Sequence, residues 1–90
     1  MADSIITDVT EYCLMCAKPT SDTHHLCFGR SERRLSDEDG LTIPLCRDCH
    51  AMIHNDAKLG HLSKILGQIA WEGKYGDRQD FIRRYGKSYC

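Results

Sequence analysis

Residues 46–54 read Cys-Arg-Asp-Cys-His-Ala-Met-Ile-His, and this stretch decides the fold of the chain. It joins a C-x2-C pair directly to a His-x3-His pair. A second C-x2-C pair lies upstream at Cys13 and Cys16, and the doublet His24-His25 lies between the two pairs. The cysteines have the spacing of a tetrahedral thiolate zinc site, and the histidines suit a second cation. Two metal-binding sets are therefore interleaved in one short segment.

The cysteine pairs predict one structural zinc ion. Its expected ligands are Cys13, Cys16, Cys46 and Cys49. A chain of 90 residues buries only a modest core, and such small domains often need a metal staple. A redox role like that of thioredoxin is disfavoured, because the surrounding strand-helix-strand pattern is missing. The sequence therefore favours structural zinc over redox chemistry.

Cysteine usage also bears on the cellular compartment. The N-terminal residues are acidic where a secretory signal would be basic, and no apolar run of about 18 residues exists. These features predict a cytoplasmic protein with no membrane contact, in which thiols stay reduced and ligate metal. Of the remaining cysteines, Cys27 is expected to be a small buried apolar residue, and Cys90 has no partner at ligand spacing.

The charge pattern gives a weaker signal. A formal net charge of −1 is low for a protein that binds nucleic acid, since such binding depends on Lys and Arg at the phosphates. The basic residues nevertheless gather in two patches. The candidate DNA contacts are Arg30, Arg33, Arg34, Arg83, Arg84 and Lys87. On charge alone, two solvated faces remain the simpler interpretation.

The order of elements predicts a small α+β fold. A first knuckle covers residues 12–19, and strands at 24–28 and 41–45 form a hairpin with a long polar loop between them. Residues 46–54 then form a helix, which ends at Asn55-Asp56. Residues four apart lie on one helical face, so His50 and His54 can converge on one ion.

Two more helices are expected after this core. The first carries an apolar stripe at helical spacing, which predicts a core-facing side; its residues are Leu62, Ile65, Leu66 and Ile69. Gly67 should weaken the middle of that helix. The second helix covers residues 78–85. Its aromatic residues, like Trp71 and Tyr75, are expected to pack in the core in preference to stacking on bases.

The nested ligand pattern over residues 12–55 resembles the HNH endonucleases, also called the ββα-metal or His-Me finger family. The zinc-stapled members carry C-x2-C, a His doublet, and then C-x2-C-H-x3-H. The chain is also similar to small phage HNH proteins and to the RecA-dependent phage nuclease group, through Ile43-Pro44-Leu45-Cys46, which resembles their Leu-Pro-Leu-Cys run, and through a weak C-terminal motif. The resemblance implies one domain over residues 1–90, with a zinc-stapled, treble-clef-like ββα-metal core at 12–55 and a helical extension at 56–90.

The resemblance also implies a set of residue roles. His25 corresponds to the general base, which takes a proton from the attacking water. His24, His50 and His54 correspond to the ligands of a catalytic divalent ion such as Mg²⁺, Mn²⁺ or Ni²⁺. The implied substrate is DNA in a bacterial host cell, and the implied products carry 5′-phosphate and 3′-hydroxyl ends.

One position departs from the family pattern. The Asn that braces the loop carrying the base is absent, because residues 40–46 read Gly-Leu-Thr-Ile-Pro-Leu-Cys. Asp39 is the expected substitute acceptor. The departure also leaves room for an inactive relative that regulates a larger phage or host assembly.

A second function stays open at this point. A treble-clef module without catalytic activity, binding DNA or a protein partner, would use one zinc, whereas a nuclease needs a second, open metal site. Cleavage of both DNA strands would need two successive nicks or a homodimer, and the apolar stripe at 62–69 offers a surface for pairing as well as for internal packing.

Overall fold

The order of secondary structure in the computed structural model agrees with a small α+β domain. The model describes residues 3–29 and 31–90. Its elements are β1 (Thr23–His25), α1 (Glu32–Asp39), β2 (Thr42–Pro44), α2 (Arg47–Asn55), α3 (Ala57–Lys74) and α4 (Arg78–Tyr85). No helix in the described ranges is both long enough and apolar enough to span a membrane.

The two strands pair as an antiparallel hairpin, as predicted, although both are shorter than expected. Thr23 lies opposite Pro44, and His24 lies opposite Ile43. Successive side chains of a strand point to opposite faces, so the two adjacent histidines separate. His24 is fully buried, whereas His25 on the other face stays partly accessible.

A helix replaces the long polar loop that the sequence predicted between the strands. Helix α1 buries Leu35 and Ser36, and the Ser36 hydroxyl donates to the carbonyl of Cys27 at 2.6 Å. Gly40 ends the helix with a φ of 75°, a left-handed conformation that favours glycine. The loop prediction was wrong because the burial of Leu35 and Ser36 on one turn is enough to anchor a helix whose other residues are mostly charged.

The first knuckle docks against the end of β2. The amide of Leu14 donates to the carbonyl of Pro44 at 3.0 Å, and the Thr20 hydroxyl donates to the carbonyl of Leu45 at 3.1 Å. Inside the knuckle, Ala17 adopts a positive φ of 65° while its amide donates to the carbonyl of Cys13. These contacts bring the upstream cysteine pair to the start of α2.

Helices α2 and α3 follow each other with a sharp break at Asp56. This residue leaves the helical region, and its carboxylate accepts from the amides of Lys58 and Leu59 at 2.9 and 3.1 Å. It thereby caps α3. The predicted helix stop at Asn55-Asp56 is confirmed.

The predicted apolar stripe of α3 is wrong as a core face. Leu62, Leu66 and Ile69 are 52%, 58% and 58% exposed, and only Ile65 packs on the core. The buried face is instead composed of small and polar residues together with one tryptophan: Gly60, Ser63, Gly67, Gln68 and Trp71.

Gly67 is a point of close approach between α3 and the strand region. A Cβ atom at this position would lie 2.8 Å from the sulfur of Cys27 and 3.1 Å from the Cβ of Leu26. Space for the hairpin, and not helix propensity, therefore explains a glycine in the middle of α3. Cys27 is fully buried, as the sequence predicted.

Helix α4 closes the aromatic core, which confirms the packing interpretation for its aromatic residues. Phe81 and Tyr85 stack with ring centroids 4.4 Å apart, and Trp71 meets Phe81 edge to face. Tyr75 does not pack in the core as predicted: it is 45% exposed, and its hydroxyl instead donates to the carbonyl of Asp39 at 2.7 Å.

Candidate functional site: a cysteine cluster beside a histidine trio

The four predicted zinc ligands lie together. The sulfur atoms of Cys13, Cys16, Cys46 and Cys49 are all within 4.8 Å of one another, and those of Cys16 and Cys46 are 3.5 Å apart. Thiolates bound tetrahedrally at about 2.3 Å from zinc lie about 3.8 Å from each other. The cluster is therefore able to hold a structural metal such as zinc, joining the first knuckle to the start of α2.

The electrostatics of the cysteines also suit a cation. Burial acts to raise the pKa of the Cys13 thiol, but backbone hydrogen bonds from Cys46, Cys16 and Met15 lower it to about 6. The pKa of Cys49 is raised to about 12, first by its contact with the Cys46 sulfur and then by burial. Four adjacent thiols cannot all ionise against their mutual repulsion unless a positive ion lies among them.

Three histidines form a second cluster that is able to hold a metal ion. His24 comes from β1, while His50 and His54 come from successive turns of α2. One nitrogen of each lies within 4.8 Å of the others, and the Nε2 atoms of His50 and His54 are 3.0 Å apart. Two imidazole nitrogens bound side by side at about 2.1 Å from one ion are separated by about 3 Å.

Ser63 on α3 sets the hydrogen-bonding state of His24. The Ser63 hydroxyl donates to the carbonyl of Leu26 at 2.8 Å, so its oxygen accepts from the Nε2–H of His24, also at 2.8 Å. His24 is therefore the tautomer with an unprotonated Nδ1. That atom is buried and has no hydrogen-bond partner in the described part of the chain. A buried lone pair without a donor is costly unless it binds an ion.

The surroundings of His24 and His50 favour the neutral imidazole, which is the form that binds metals. Burial, followed by the neighbouring His50, His54 and His25, lowers the pKa of His24 to about 3. Burial likewise lowers the pKa of His50, with His54 as the next cause. Each imidazole added to the cluster makes a proton on its neighbours less favourable.

His25 lies on the opposite face of β1 and shares a cleft with two members of the trio. The cleft is lined by His25, Phe28, Arg33, His50 and His54, among others. The Nε2 atom of His25 is 3.2 Å from a carboxylate oxygen of Asp37. When that nitrogen donates to Asp37, Nδ1 keeps its lone pair, as a general base requires.

The expected bracing role of Asp39 is corrected by the structure. Its carboxylate accepts from the indole of Trp71, the phenol of Tyr85 and the guanidinium of Arg84, at distances of 2.7 to 2.8 Å. The side chain therefore joins α1 to α3 and α4 and does not contact His25. The carboxylate at His25 belongs to Asp37, two residues earlier and about half a helical turn away.

Some of the predicted DNA contacts form ion pairs with carboxylates of the protein, and others do not. Arg84 is bonded to Asp39 and Glu38, which contradicts its assignment as a DNA contact. Arg34 and Arg83 form exposed ion pairs within their own helices, with Glu38 and Asp80. Arg30 lies outside the described residues. Lys87 lines a separate groove on the side of α3.

Arg33 and Arg47 differ from these arginines. Within residues 3–29 and 31–90, neither forms an ion pair. Arg33 lines the cleft of His25, and Arg47 lines an adjoining one with His50 and His54. The free positive charge at the histidines therefore comes from α1 and the start of α2.

Sequence reasoning missed several residues of this site. Ser63 is 39 positions from the histidine it bonds, and no spacing signal links them. Asp37 was assigned to a polar loop, where its position on a helical face was not visible. The position of Arg47, directly after a zinc ligand and three residues before His50, was a usable signal.

Comparison with known proteins places the chain in a family. The model of a family described as "Protein of unknown function (DUF968)" matches residues 8–88. The chain belongs to the DUF968 family. The matched region of DUF968 includes all seven candidate cysteine and histidine ligands described above.

The DUF968 chain is also similar to a curated protein of Escherichia coli strain K12, the uncharacterized protein YdfU. The two are 31% identical over 77 residues, which is 84% of this chain and 19% of YdfU. The chain thus spans about a fifth of the length of that relative. No solved structure gives a significant match to the chain.

Proposed function

We propose that this DUF968 protein is a metal-dependent DNA endonuclease of the HNH type, in which β1, β2 and α2 form a ββα-metal core. One observation carries the proposal. The buried Nδ1 of His24 holds an unshared lone pair, because Ser63 accepts a hydrogen bond from the N–H of the other nitrogen, and the ring centre lies 5.0 and 5.4 Å from those of His50 and His54. A purely structural histidine would bond through both nitrogens.

The residues divide the chemistry of phosphodiester hydrolysis among them. His24, His50 and His54 hold a divalent cation, which when bound supplies positive charge to the phosphate and to the leaving oxygen. His25, oriented by Asp37, takes a proton from water through Nδ1. The water oxygen forms a bond to phosphorus and the bond from phosphorus to O3′ breaks. The products are a 5′-phosphate and a 3′-oxygen that takes a proton from solvent.

Two cations support the assignment of a phosphate substrate. Arg33 and Arg47 line two clefts that share His50 and His54, and they are free of ion pairs in the described residues. A guanidinium presents paired donors that match phosphate oxygens. Positive charge at the site thus compensates for the near-neutral charge of the whole chain.

Plasmid nicking by the purified protein tests the proposal. Mg²⁺, Mn²⁺ and Ni²⁺ are added separately, and His25→Ala is assayed beside the wild type at equal zinc content and equal unfolding midpoint. Cleavage that depends on the added ion and disappears in His25→Ala is the expected result. A zinc-loaded wild type that leaves every DNA intact under all three ions would contradict the proposal.

Metal counting separates the nuclease from a binding module without catalytic activity. The nuclease is expected to hold two ions per chain, and His50→Ala to hold one. His61→Ala is the matched control, because His61 lies outside the trio, and it should retain both ions. A single ion in the wild type would favour the module. Pairing of two copies stays a prediction, which sedimentation of the wild type would test.

A further inference from the structure

A second groove adjoins the histidine trio on the side of α3 and the C-terminal tail. We call it the lysine groove; its main lining residues are Phe28, His54, Gly60, Lys64, Lys87 and Tyr89. Its volume is about 400 Å³, within the range of about 300 to 1,000 Å³ that is common for small-molecule sites. Phe28 and His54 also line the cleft of His25, so the two depressions adjoin at these side chains.

Two ammonium groups are held over aromatic rings in this groove. The Nζ atom of Lys64 lies 4.6 Å from the ring centre of Phe28 and 5.4 Å from that of Tyr89. The Nζ atom of Lys87 lies 5.2 Å from the ring centre of Tyr89. No carboxylate of the described residues forms an ion pair with either lysine. Both charges therefore remain available to an anion.

The floor of the groove is rigid. Tyr89 is buried, its hydroxyl donates to Glu32 at 2.8 Å, and its amide donates to Gln68 at 2.6 Å. Asp56, an acidic residue of the lining, has one carboxylate oxygen bonded to the first amides of α3. The lysines are consequently positioned by a fixed ring instead of extending freely into solvent.

The groove is close enough to the histidines to take the neighbouring part of a substrate. The Phe28 ring lies 4.6 Å from the ring of His54 and 4.6 Å from the Lys64 ammonium, so it borders both the histidine trio and the groove. A groove with free cations is a means by which proteins follow the backbone of a single nucleic-acid strand, through phosphate neutralisation.

We propose that the lysine groove binds the nucleotide next to the scissile phosphodiester, with Lys64 and Lys87 on its phosphate and Phe28 as the wall between the groove and His54. This inference rests on the proposed endonuclease function and names the path of the strand. The strand runs from Arg33 and Arg47 over the histidines into the lysine groove. It avoids Arg84 on α4, whose charge is already neutralised by Asp39.

The test measures binding without requiring cleavage. Anisotropy of a labelled short single-stranded DNA is followed over a series of salt concentrations, with no divalent ion added. The variant is Lys64→Met with Lys87→Met, which keeps the aliphatic stems that pack on the rings. The matched control is Lys18→Met with Lys74→Met, which removes the same charge from lysines outside the groove.

Loss of the contacts to this one phosphate reduces the slope of log K against log salt by about 0.7 for a single strand, which is about 5-fold in affinity at about 0.1 M salt. The control should bind like the wild type. Equal weakening of DNA binding in both double variants would overturn the inference. It would also be overturned if Lys64→Met with Lys87→Met weakened the binding of polyglutamate as much as the binding of DNA. DNA that binds through the lysine groove in a protein that cleaves nothing would leave the inference standing while refuting the endonuclease.

Discussion

Substitution of Ser63 is the most direct test of the histidine trio as a metal site. Ser63→Ala removes the acceptor of the His24 Nε2 proton and the donor to the carbonyl of Leu26. His24 is then free to move its proton to Nδ1, the atom that the site needs unprotonated. Loss of such an outer partner of a metal-binding histidine costs about 10- to 100-fold in metal affinity.

The stability cost has to be separated from the effect on metal binding. Ser63 is only 5% exposed, so its removal leaves two buried polar groups unpaired, at about 1 to 3 kcal/mol each. Ser36→Ala is the matched control. Ser36 is fully buried, donates to the carbonyl of Cys27 and accepts from its amide, at 2.6 and 3.2 Å, and contacts no histidine. Its removal should destabilise the fold to a similar degree and leave the metal affinity unchanged.

The assay is titration of Ni²⁺ or Co²⁺ into protein that already contains one zinc, in competition with a chromophoric chelator. Urea unfolding of the same samples gives the stability. Nitrogen NMR of the His24 ring reports the tautomer directly. The reasoning is refuted if Ser63→Ala and Ser36→Ala bind the second ion with equal affinity, or if the wild-type ring carries its proton on Nδ1.

Three further predictions concern the packing and the charges of the domain. Gly67→Ala should lower the free energy of unfolding by about 1 to 3 kcal/mol through overpacking against Cys27, whereas Gly73→Ala, with open space around it, should raise it by up to about 1 kcal/mol. If urea unfolding shows Gly67→Ala to be more stable than Gly73→Ala, the close approach between Gly67 and Cys27 is contradicted. Burial raises the pKa of the Cys27 thiol to about 12, whereas its pKa in the unfolded chain is near 9. The contribution of this thiol to the free energy of unfolding is therefore complete below pH 9 and is lost between pH 9 and 12, at about 1.4 kcal/mol per pH unit. Cys27→Ala should flatten this alkaline decline, and an unchanged slope would exclude the cause. Asp39→Ala should cost about 3 kcal/mol, because a guanidinium, an indole and a phenol lose their acceptor, while Asp37→Ala should cost under about 1 kcal/mol yet reduce the rate of DNA cleavage. Equal activity of Asp37→Ala and the wild type would remove Asp37 from the site.

Ligand identity is the part of the site that the sequence made visible. The C-x2-C and His-x3-His spacings bring their members together through local geometry alone, because a knuckle and one helical turn each set the separation of two side chains. The cysteine cluster and the trio of His24, His50 and His54 follow from these spacings once the hairpin joins the two halves. The roles of the histidines stay a prediction.

Partner identity was not visible in the sequence, because it depends on contacts between distant segments. Asp37 and Asp39 are the same residue type in one acidic run, two positions apart. Nevertheless, Asp37 bonds to His25, whereas Asp39 is buried against α3 and α4. Which carboxylate meets the histidine depends on the rotation of α1, which the burial of Leu35 and the hydrogen bonds of Ser36 determine.

Helix α3 shows the same division between pattern and packing. Its spacing of Leu62, Leu66 and Ile69 gave a correct helix and an incorrect buried face. The face that packs is chosen by close approach at Gly67 and by the hydrogen bonds of Ser63, and neither small nor polar residues contribute to an apolar stripe. The sequence by itself thus determined which residues are candidate metal ligands, since the spacings within each pair act over one knuckle or one helical turn. Only the tertiary structure decided which nitrogen of His24 is left free and which lysines line the groove beside His54, since these depend on groups brought together from distant parts of the chain.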